Sequence, residues 1–74
     1  MISYEVVLGV DRAARDTGRR ITLRVCESDP LQAAITAERK ADKRLAHPDV
    51  EYTHAMRVSP VVRPKLAAAL AYAA

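Results

Sequence analysis

Apolar and polar positions alternate from the start of the chain. Ile2, Tyr4, Val6, Leu8 and Val10 fall on one side of residues 2–10, and Ser3, Glu5, Val7 and Gly9 on the other. A period of two sustained this long predicts a half-buried strand. Residues 20–26 repeat the pattern, with Ile21, Leu23 and Val25 facing one way and Arg20, Thr22, Arg24 and Cys26 the other. The polar stretch between them, Asp11 to Gly18, ends in glycine and predicts a β-hairpin with a long tip. A third alternation covers residues 50–58. Val50, Tyr52, His54, Met56 and Val58 form its apolar side, and Glu51, Thr53, Ala55 and Arg57 its polar side.

The period changes between the second and third strands. Asp29 is a good N-cap, Pro30 suits the first helical position, and Gln32 completes an Asp-x-x-Gln capping box. The helix is predicted over residues 30–46, and His47-Pro48-Asp49 stops it because the residue before proline avoids the α region. Residues 59–64 read as a proline-limited connector, and the Ala-rich residues 65–74 as a short C-terminal helix. These elements define an α+β chain of order ββαβ(α). A three-stranded antiparallel sheet of order 2-1-3 carries the main helix on one face. Residues 1–58 make the single domain.

The helix holds one inconsistency. At about 100° per residue, Leu31, Ala34, Ile35, Ala37, Ala41 and Leu45 share one arc. Gln32, Thr36, Arg39, Lys40, Lys43 and Arg44 lie opposite. Glu38 falls inside the apolar arc and Asp42 on its flank. A carboxylate on a buried face needs a partner. His54, on the helix-facing side of the third strand, is the expected one, so Glu38 and His54 are read as a buried polar pair. An acid–base reading of that pair lacks a nucleophile, a glycine-rich phosphate loop and metal-ligand spacing. The chain is therefore read as non-enzymatic, with no cofactor and no metal. His47, in the loop before Pro48, reads as a cap or surface residue.

Composition narrows the classes further. With 74 residues the chain fits one domain and buries a limited share of its surface. Cys26 is the lone cysteine, which excludes an internal disulfide and favours a reducing, cytoplasmic setting. The longest apolar run, Leu66 to Ala74, is too short for a membrane span. Richness in alanine and arginine suits a GC-rich genome and a small accessory gene of a bacterium, plasmid or phage. The net charge is +3 and aromatic residues are only 4% of the chain. A basic face is expected from Arg20, Arg24 and Arg57 on the open side of the sheet and Arg39, Lys40, Lys43 and Arg44 on the helix. Scarce aromatics leave little for base stacking.

The remaining candidate surface is apolar. Met56, Val58, Val61, Val62, Leu66 and Leu70 lie on the third-strand edge or the tail, and an unprotected edge pairs with another chain. The expectation is an accessory or regulatory interaction protein, forming a homodimer and binding another protein through that edge and the basic helix face. The alternative is a nucleic-acid-binding accessory protein using the Arg and Lys of helix and hairpin.

Overall fold

The structure, a computed structural model, describes residues 1–61. Its elements run β1 (Ile2–Arg12), β2 (Arg15–Glu27), α1 (Pro30–Asp42) and β3 (Glu51–Pro60). The strands form one antiparallel sheet of order β2-β1-β3, with α1 packed on one face. The α+β class and strand order agree with the sequence pattern. β3 takes Ser59 and Pro60 into the sheet, beyond the expected end at residue 58. The helix expected over residues 65–74 lies outside the described residues, as do Val62, Leu66 and Leu70.

The core lies between β1 and α1. Tyr4, Val6, Leu8 and Val10 are buried on the helix-facing side of β1, with Val25 beside them. From α1 they meet Ala33, Ala37 and Ala41, all fully buried. This stripe repeats at i, i+4, so the smallest side chains touch the sheet. The buried arc is turned relative to expectation: Leu31 is 68% exposed. Glu38 and Asp42 consequently sit on one flank of the helix. The Asp29 cap forms as expected, its Oδ1 accepting from the Gln32 N–H at 2.9 Å. α1 ends at Asp42, one turn before the expected end. Arg44 N–H then donates to Ala41 O, and the tightened turn folds Leu45 back into the core.

The hairpin is tighter than its polar sequence suggests. β1 and β2 pair out to Arg12 and Arg15. The turn is Ala13-Ala14, with φ of 51° and 61°. Positive φ at both central residues matches the type I′ geometry favoured in two-residue hairpin loops. The expected long tip is instead strand interrupted by an irregularity between Gly9 and Asp11 of β1. Gly18 there has φ of 82°. Asp16 Oδ1 accepts from Gly18 N–H at 2.9 Å, and Thr17 Oγ1 donates to Val10 O at 2.7 Å.

β3 departs most from the sequence pattern. Val7 pairs with Arg57 but Leu8 pairs with Ala55, so Met56 is an extra residue. This bulge reverses the phase of the strand on its N-terminal side. Glu51 and Thr53 are buried towards the helix, whereas Tyr52 is 46% and Met56 49% exposed. Arg57 and Val58, beyond the bulge, keep their expected faces, and Val58 packs against the core.

Candidate interaction surfaces

The two sheet edges differ, and α1 causes much of the difference. Glu38 Oε2 accepts from Ala55 N–H at 3.2 Å. Asp42 Oδ1 accepts from Thr53 N–H at 3.0 Å and from Thr53 Oγ1 at 2.7 Å. Glu51 N–H donates to His47 O at 2.9 Å. At the far end Val61 N–H donates to Ser3 O at 2.8 Å, so residues 57, 59 and 61 point towards β1 by alternation. Residues 58 and 60 then point outwards, and Pro60 has no N–H. The outer edge of β3 is thus capped or donor-free except at Val58.

Two expectations change here. Glu38 and His54 do not pair: Glu38 serves the β3 backbone, and the bulge puts His54 on the opposite face of the sheet. The β3 edge is also largely covered by its own chain. Met56 lies on the open face, Val58 in the core periphery, and Val61 is half-buried just past β3.

β2 forms the other edge and has no such cover. Ser3 faces β3, so even-numbered β1 residues face β2. Their partners Ile21, Leu23 and Val25 point inwards, leaving the N–H and C=O groups of Thr22, Arg24 and Cys26 directed outwards. Among the described residues no backbone group bonds to this edge. Cys26 Sγ on this edge lies 3.3 Å from Ser3 Oγ.

Charge follows the same division. Glu38 and Asp42 occupy the flank of α1 over β3. At about 100° per residue, Thr36, Lys40 and Lys43 occupy the other flank. Thr36 Oγ1 donates to Glu27 Oε1 at 2.8 Å, which fixes that flank over β2. Arg39 faces solvent, and Arg44 lies in the turn after the helix. Arg20, Arg24 and Arg57 lie on the open sheet face, across from Gly9, Glu5 and Val7 respectively. The ion pairs among the described residues are Arg19–Glu51 at 3.3 Å, Arg20–Asp16 at 3.0 Å and His54–Asp11 at 2.8 Å. Arg24, Arg39, Lys40, Lys43, Arg44 and Arg57 make none of them.

The open face also holds a polar cluster that alternation alone does not reveal. His54 lies across from Gly9, and its ring covers the glycine. A Cβ on Gly9 would stand 2.7 Å from His54 Cε1 and 3.0 Å from Nε2. His54 Nδ1 lies 2.8 Å from Asp11 Oδ2 without meeting hydrogen-bond geometry. Arg20 reaches Asp16 through both terminal nitrogens, at 3.0 and 3.1 Å. Those bonds, then the Gly18 N–H, hold the Asp16 carboxyl below its ordinary value. No group of three His, Cys, Asp or Glu side chains suited to a metal occurs among the described residues. At the opposite end of the sheet a shallow cleft of about 400 Å³ is lined by Met1, Ile2, Ser3, Arg24 and Val61.

No described helix is long and apolar enough to cross a membrane. Comparison with protein-family models, curated proteins and solved structures finds no match to this chain.

Proposed function

We propose that the chain is a small, non-catalytic accessory module that binds another protein by strand addition. The contrast between the two edges carries this reading. β3 has its outward donors capped by Asp42, Glu38 and the His47 carbonyl. β2 presents Thr22, Arg24 and Cys26 with their backbone groups directed outwards. An uncovered edge is a template for another strand, and main-chain bonds supply the affinity. The edge in use is therefore β2, not the third strand expected from sequence.

Thr22→Pro tests this directly. Its N–H faces away from β1, so proline removes an edge donor without breaking the β1–β2 ladder. Affinity capture from the native cell is expected to retain a partner on the wild-type chain and lose it on the folded variant. Identical partners on both reject strand addition.

A second reading is supported by the cations outside the ion pairs of the described residues. Arg24, Arg39, Lys40, Lys43, Arg44 and Arg57 remain outside the ion pairs, while Asp11, Asp16 and Glu51 have basic partners. Such a surface suits phosphates, whose binding weakens steeply with salt. If nucleic acid is the partner, Lys40→Glu with Lys43→Glu lowers the slope of log K against log salt by about two. Absence of binding at low salt removes this reading.

A further inference from the structure

The charges around the β2 edge specify what can lie on it. Resting on the strand-addition reading, we infer that the occupant is an extended acidic segment of a partner protein, rich in Glu or Asp. The added strand runs between two sets of cations. On the open face stand Arg24, across from Glu5 but outside every ion pair of the described residues, and Arg20, which Asp16 already holds through both terminal nitrogens. On the helix side stand Lys40 and Lys43, on the flank that Thr36 ties to Glu27. The acidic flank of α1 is turned to the other edge, where Glu38 and Asp42 are occupied by Ala55 and Thr53. Carboxylates on an added strand meet cations on both faces, and a basic strand meets repulsion on both.

A second copy fits the edge less well. Antiparallel self-pairing centred on Leu23 or Val25 sets Arg24 against Thr22 or Cys26 and gives neither Arg20 nor Arg24 a carboxylate; centred on Thr22 it sets Arg20 against Arg24 of the other copy, and centred on Arg24 it sets that arginine against itself. Like charges directly opposite destabilise a sheet. A nucleic-acid strand matches the cations but not the backbone. The outward carbonyls of Thr22, Arg24 and Cys26 need donors, and a phosphodiester chain supplies acceptors. A peptide strand supplies both.

The test uses the full chain and two capped heptapeptides, one alternating Glu with Val or Thr, the other with Lys replacing each Glu. Amide exchange by NMR reports protection at Thr22, Arg24 and Cys26, and anisotropy reports affinity. The acidic peptide is expected to protect these amides and to bind about tenfold more tightly than the basic one, the sum of several exposed ion pairs. Lys40→Glu with Lys43→Glu is expected to reverse that preference, and Thr22→Pro to abolish protection by either peptide.

Equal affinity for the two peptides overturns the acidic occupant while leaving the edge reading intact. No protection by either peptide overturns both. Protection without peptide that grows with protein concentration assigns the edge to a second copy and overturns the inference. So does an oligonucleotide that binds the wild type and Thr22→Pro equally where the peptides give no protection.

Discussion

Gly9 shows how much one side chain can decide. The His54 ring occupies the space above it, and an added methyl meets Cε1 at 2.7 Å and Met56 Sδ at 3.1 Å. Gly9→Ala must push the ring away from Asp11, at an expected cost of ~1–2 kcal/mol in urea unfolding. In a Gly9→Ala, His54→Ala double variant part of that loss is expected to return. Strict additivity would show that the ring is not the obstacle. Asp16 supplies a pH test. Its carboxyl is lowered from 3.8 chiefly by Arg20, so its contribution is present above that value and lost as pH falls through the lower folded value. The urea midpoint of Asp16→Asn is expected to lie below wild type at neutral pH and to meet it in strong acid. A gap that persists in strong acid rules out the carboxylate as its source. The Asp29 cap was legible because cap, proline and glutamine are local in sequence. The Asp11–His54 contact was not, because it depends on how two strands are phased.

At the scale of elements, Met56 marks the limit of pattern reading. Alternation gave all three strands and their order. One extra residue then exchanged the faces of Glu51 to Ala55, and no residue type in that segment announces it. The inconsistency at Glu38 was legible, but its solution was a backbone N–H, not His54. The capping role of α1 gives a definite expectation. Asp42→Ala removes two bonds to Thr53 and is expected to cost ~1.5–3 kcal/mol. Combined with Glu38→Ala it exposes the β3 edge, and sedimentation velocity is expected to show association rising with concentration. A double variant that associates no more than wild type would show that the carboxylates do not guard the edge.

Across the whole molecule, a helix placed over a three-stranded sheet separates two unlike borders. The arrangement of strands and helix was readable from periodicity. Which border stays open was not, since it follows from the α1 flanks and the bulge together. The turn between β1 and β2 bears on how this assembly forms. Ala13 and Ala14 both hold positive φ, a region that L-residues with a Cβ visit at some cost. Ala13→Asn with Ala14→Gly fits the same turn and is expected to stabilise the fold by ~1 kcal/mol. Stopped-flow refolding then separates two histories. If the gain appears as slower unfolding alone, the turn closes after the rate-limiting step. Faster refolding would place it in the nucleus instead. An alanine pair is a poor initiator of a hairpin, so slower unfolding is the expected result. On that result the central strand gathers its neighbours through Val6, Leu8 and the alanine stripe before the turn closes.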